Sequence, residues 1–97
     1  MSPQARQFLA IQNAIPKQFG RTATTMFIHL LSGPMTRSEI ARATGTSTAS
    51  MTALVDRGTS LKWLVTQSVK GDRRKELVYL TNQARNAIEV AMKRRDA

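Results

Sequence analysis

Apolar residues recur at helical spacing in four stretches of the chain, and a fifth stretch is rich in strand formers. Phe8, Leu9, Ile11, Ala14 and Ile15 follow Ser2-Pro3, a fitting cap and first helical residue, and run until Pro16 intervenes. This predicts a first helix over 3–14. Met26, Phe27, Leu30 and Leu31 form the stripe of a second helix, about 22–32, which Gly33-Pro34 ends. Met51, Leu54 and Val55 keep an i, i+3, i+4 rule, leaving Thr48, Ala49, Thr52, Ala53 and Asp56 on the opposite side. Ala84, Ala87, Ile88, Ala91 and Met92 mark a last helix over 82–95, with Thr81 as its cap.

The polar residues between these stripes set where helices start and stop. Thr36-Arg37-Ser38-Glu39 matches a capping box, in which a threonine hydroxyl and a glutamate side chain each satisfy the other residue's backbone amide. A short helix opens there and closes by Thr44. Gly45 follows, free to take the positive φ that a tight corner needs, and Ser47 caps the next helix. Gly58 weakens that helix, so a break or fray is expected between Gly58 and Lys62. Segments 63–68 and 76–80 are rich in Val, Leu, Thr and aromatic residues and flank the turn signal Gly71-Asp72, which predicts an antiparallel hairpin. The expected class is mainly α with a small β-hairpin: a helix-turn-helix followed by a finger.

A chain of 97 residues reads as one domain, 1–97, with room for one modest core. Fifteen Lys and Arg against six Asp and Glu give a net charge of +9, which points to a polyanionic partner. The cations cluster at Lys70, Arg73, Arg74 and Lys75 and again at Lys93, Arg94 and Arg95. Without cysteine there is no disulfide, thiolate zinc site or thiol switch, and a cytoplasmic, nucleoid-associated protein is expected. Apolar runs fall far short of the roughly 20 residues that span a bilayer, so no membrane insertion is expected. The six acids are dispersed, and no nucleophile with a base, metal cluster or phosphate-binding glycine loop is visible. The chain therefore reads as neither an enzyme nor a cofactor or metal binder.

Double-stranded DNA is the partner these features fit. The candidate reading face is Ser47, Thr48, Ala49, Ser50, Thr52 and Ala53, whose hydroxyls and methyls suit base edges in a major groove, with Arg57 as the nearest long donor. The candidate finger is Lys70, Asp72, Arg73, Arg74 and Lys75. Arg74, then Arg73, would enter a minor groove, and Asp72 would orient a neighbouring arginine. Arg37 and Arg42 are placed on the DNA backbone. Plainer roles suit His29, a lone histidine among Phe27, Ile28 and Leu30, and Trp63, a core anchor beside Leu64. Met26, Met35, Met51 and Met92 read as core filler.

Four segments occur in order: 33–41 (GPMTRSEIA), 54–57 (LVDR), 71–74 (GDRR) and 80–81 (LT). Together they resemble the DNA-binding core of the MarR family of bacterial and archaeal regulators, in a compact form. The resemblance covers roughly 22–85. It implies a winged helix-turn-helix, a homodimer on a pseudo-palindromic operator and repression of transcription, with Asp72 and Arg74 on the family's wing Asp-x-Arg. The sequence departs from the family at Gly58, where leucine is usual, at Lys62, where a glycine usually ends the connection, and at Ala53, where a polar or basic reader is frequent. The short flanks, 3–14 and 82–95, suit dimerisation but not a pocket for a small-molecule effector. Two alternatives stay open: a winged-helix module that docks a protein in a replication, conjugation or transcription complex, and a low-specificity architectural DNA binder.

Overall fold

The computed structural model describes residues 2–96, and the side chains of all of these except 18, 72–74 and 94–96. Helix α1 spans Pro3–Ala14, its Ser2 hydroxyl accepting from the Ala5 amide at 3.1 Å. A single 3₁₀ turn, Lys17–Phe19, leads into α2, Gly20–Leu31, which starts two residues before the apolar stripe suggested. Strand β1, Met35–Thr36, precedes α3, Arg37–Thr44, and α4, Thr48–Ser60. The hairpin is β2, Leu64–Val69, and β3, Asp72–Leu80; α5, Asn82–Asp96, follows.

The sheet is antiparallel in the order β1-β3-β2. Strand β1 escapes sequence reading because two residues carry no periodicity. It exists because Met35 and Thr36 lie opposite Val78 and Leu77 on β3. Pairing regularly from Leu64↔Leu80 to Ser68↔Glu76, the hairpin then breaks register, since the next pair is Val69↔Asp72. Residues 73–75 fall within that break. The regular part of β3 therefore begins at Glu76, as its composition suggested, although the strand itself reaches back to Asp72.

One core serves all elements. Phe27 lies at its centre, edge-on to Phe19 (ring centroids 5.3 Å apart) and to Trp63 (5.7 Å), so three aromatic rings join α2, the turn before it and the foot of the hairpin. Ile40, Met51 and Val55 bring α3 and α4 onto the same mass, and Ile11, Ala84 and Ile88 bring α1 and α5. Trp63, Met26 and Met51 are buried, while Met35 and Met92 pack at the margin. His29 is half-buried on α2.

Helix α4 ends at Ser60, within the break expected between Gly58 and Lys62, and the chain turns at Leu61 and Lys62, where Lys62 takes φ 63°. Gly58 is also a packing position, since a Cβ there would lie 2.4 Å from Leu64 Cδ1 and 2.8 Å from Leu64 Cγ. Lys62 stands in the left-handed region that suits the family's usual glycine. Thr81 braces this turn, its hydroxyl donating to the Lys62 carbonyl at 2.8 Å while accepting from the Ala84 amide as the cap of α5.

Candidate nucleic-acid interface

The corner between α3 and α4 is fixed by its own side chains. Both halves of the capping box are made: the Thr36 hydroxyl accepts from the Glu39 amide at 3.2 Å, and Glu39 Oε1 accepts from the Thr36 amide at 3.1 Å. The Thr36 amide is the main reason the Glu39 carboxyl lies below its usual pKa, with the Thr36 hydroxyl next and then the positive charges of Arg42 and Lys75. At the other end Gly45 takes φ 71°, ψ 28°, so the amides of Gly45 and Thr46 can turn back onto the carbonyls of Arg42 and Ala41. Thr44 commits its hydroxyl proton to the Ile40 carbonyl at 2.8 Å, which leaves Thr46 as donor in the bond between the two threonine hydroxyls.

Ser47 caps α4 by accepting from the Ser50 amide at 3.1 Å, and its own proton goes to Ser50 Oγ at 2.9 Å. Two hydroxyls of the expected reading face are thus engaged with each other. Thr48, Ala49 and Ala53 are exposed, with Ser47, Ser50 and Arg57, while Thr52 is half-buried. The face is slim, and no side chain on it before Arg57 is longer than threonine, apart from the Asp56 carboxylate. A notch of about 290 Å³ runs beside it, lined by Thr22, Thr46, Ser50, Met51, Ala53, Leu54 and Arg57. Thr22, at the start of α2, was not a sequence candidate. It lies far from α4 along the chain, and only the packing of α2 brings it there.

On the hairpin, Lys70 and Lys75 are exposed, and Gly71 turns the chain with φ 90°. The side chains of Asp72, Arg73 and Arg74 lie outside the described residues. Arg42 is exposed on α3. Arg37, expected on the DNA backbone, is held inside the protein surface: Nη1 donates to Glu76 Oε2 at 2.9 Å and Nη2 lies 3.7 Å from Asp56 Oδ1. One guanidinium thereby joins the start of α3, the exposed side of α4 and the root of the hairpin. Among the described residues no group of three His, Cys, Asp or Glu side chains could hold a metal ion, and no helix is long and apolar enough to cross a membrane.

A capped two-helix corner with a slender exposed second helix, flanked by a three-stranded sheet whose hairpin carries the basic residues, defines a winged helix-turn-helix. A family model described as the MarR family matches residues 18–75. The chain belongs to the MarR family, whose members are DNA-binding regulators of transcription and not enzymes. Among solved structures, the transcriptional regulator Tm0710 from Thermotoga maritima is 25% identical, with TM-score 0.66 over 94% of this chain and 61% of that one. RV1404 from Mycobacterium tuberculosis is 21% identical, with TM-score 0.70 over 95% of this chain and 63% of its own. The transcriptional repressor CouR, bound to a 23-mer DNA duplex, is 24% identical, with TM-score 0.67 over 93% and 65%. This chain spans less than two thirds of the length of each of these relatives. No curated protein sequence matches it significantly.

Proposed function

We propose that the chain is a sequence-specific repressor that binds a pseudo-palindromic operator as a homodimer, with α4 in the major groove and the hairpin, its wing, in the flanking minor groove. The observation that carries this reading is the bare, slim face of α4 joined through Arg37 to the root of a basic wing. Thr48, Ala49, Thr52 and Ala53 read base edges and thymine methyls, and Arg57 reaches a base or phosphate beyond them. Ser47 and Ser50 secure the helix end that enters the groove. Arg42, Lys70 and Lys75 contact phosphates, and Arg73 and Arg74, oriented by Asp72, supply the minor-groove contact. The fold shared with CouR, a repressor on DNA, supports this assignment.

Dimerisation uses α1 and α5. Ala84 and Ile88 of the α5 stripe close the monomer's own core and Ala87 and Met92 pack against it, but Val90 remains 51% exposed. It borders a groove of about 590 Å³ between the two helices, lined by Ala10, Asn13, Ala14, Asn86, Ala87 and Ala91 as well. Small residues there let a second α1–α5 pair approach closely.

Selection of bound duplexes from a random pool, followed by mobility-shift titration across a salt series and sedimentation of the free protein, tests the proposal. A palindromic preference, a dimer and a log–log salt slope of about −5 are expected, from three phosphate-contacting cations in each protomer at about 0.9 per phosphate. Affinity that tracks only duplex length and salt would assign an architectural role instead. Activity in the cell that survives charge reversal of Arg73 and Arg74 but is abolished by changes on the apolar face of residues 84–92 would assign a protein-docking module.

A further inference from the structure

We propose that Arg37 is a positioning residue that sets the angle of the wing against the reading helix, through Glu76 and Asp56, and does not itself hold a phosphate. The inference rests on the DNA-binding reading above. It starts from register: Met35 opposes Val78 and Thr36 opposes Leu77, so the next residue, Arg37, falls opposite Glu76 just where β1 gives way to α3. Glu76 also pairs with Ser68 on β2 and is the last residue of the regular ladder before the register break at 73–75. The ion pair therefore fastens the wing at the point where its basic segment begins. The second carboxylate, Asp56, is on α4, so any swing of the wing moves Glu76 relative to the helix that enters the major groove.

Charge and burial argue against a phosphate contact. The Arg37 side chain is only 24% exposed, and its Nε is buried without a hydrogen-bond partner among the described residues. Among the described residues one guanidinium faces two carboxylates, so its positive charge is already matched within the protein before any phosphate approaches. An arginine serving the DNA directly would have to give up its pairs with Glu76 and Asp56 as it did so.

The two roles predict opposite signs. If Glu76 is merely an acid near DNA, Glu76→Gln tightens binding by removing repulsion, Arg37→Gln weakens it, and the two effects add. If Arg37 positions the wing, each single variant and the double variant weaken specific binding to a similar extent. The loss is about 5-fold, the scale of a partly exposed ion pair. Hydroxyl-radical footprints of the selected duplex should then lose protection in the flanking minor grooves while the central major-groove contacts persist, and Arg37→Lys, which keeps one pair, should restore part of it.

Amide hydrogen exchange of the free protein separates this inference from the functional one. Faster exchange across β3 in both Arg37→Gln and Glu76→Gln, with the helices of the core unchanged, supports the clip whether or not the wild type prefers any DNA sequence. Unchanged exchange in both variants, or tighter DNA binding by Glu76→Gln, overturns it. Circular dichroism of each variant checks that the fold is kept.

Discussion

The helix-turn-helix corner and the wing stand side by side in this protein yet are held by different kinds of interaction. At the corner the capping and turn bonds join residues close in sequence: Thr36 with Glu39, Gly45 and Thr46 with Arg42 and Ala41, Ser47 with Ser50. The wing depends also on partners far along the chain, with Glu76 tied to Arg37, Val78 and Leu77 paired with β1, and Thr81 bonded to Lys62, while Leu64 sits on Gly58 at its foot. A reading head whose helix ends are set by neighbouring residues keeps its caps and corner as long as it stays packed on the core. A wing assembled from distant contacts takes its direction from the rest of the molecule, which makes its angle adjustable by single substitutions outside it.

The seat beneath the wing gives the largest expected effect. Leu64 is 2% exposed, so it has little room to move when a side chain is added at Gly58. Gly58→Leu, the family's usual residue, should destabilise the protein by about 3 kcal/mol in urea denaturation through overpacking. Gly58→Ala should cost less, since the helix regains about 1 kcal/mol of propensity. Amide exchange in β2 should accelerate before that in α3; equal stability of the leucine variant would remove Gly58 from the account of how the wing is seated.

The corner should respond to loss of its cap by a smaller amount. Thr36→Ala removes the hydroxyl half of the capping box and is expected to lower stability by about 1 kcal/mol, with fraying confined to the first turn of α3. Acid gives a second handle on the same bond. The Glu39 pKa is lowered in the folded protein, chiefly by the Thr36 amide, so its contribution is present above the unfolded carboxylate's pKa of about 4.3 and is lost as pH falls through the lower folded value. Acid titration of Glu39→Gln should show a shallower decline over that window than the wild type; identical limbs would mean that the bond contributes nothing.

The smallest effect lies between the two regions. Lys62 holds φ 63° at the turn from α4 to the wing, a conformation glycine adopts without steric penalty. Lys62→Gly should raise stability by at most about 1 kcal/mol in thermal melts, because relief of strain is partly offset by a more flexible unfolded chain. A drop in melting temperature would show that the lysine side chain supports the turn in some other way.

The helices and the corner could be read from residue order because their causes lie within a turn or two of chain. Ser2-Pro3, the Thr36 and Glu39 pair, Gly45, Ser47 and Thr81 each act on neighbours, and each is found in the role its chemistry implied. The hairpin was visible through its strand-forming residues and Gly71, but β1 was not, since two residues become a strand only when β3 lies beside them. Gly58 illustrates the same limit: its glycine signals the helix end that falls at Ser60, but only the position of Leu64 reveals that the missing side chain also makes room.

What residue order determined by itself was the set of elements, the corner and the excess of positive charge, all consequences of backbone conformational preference and composition. Which charges remain available, and in which direction the wing leaves the core, was decided only by folding. Arg37 reads as one more cation until antiparallel register places Glu76 opposite it and helix packing adds Asp56, and an electrostatic field that falls off over a few ångströms depends on that proximity rather than on sequence.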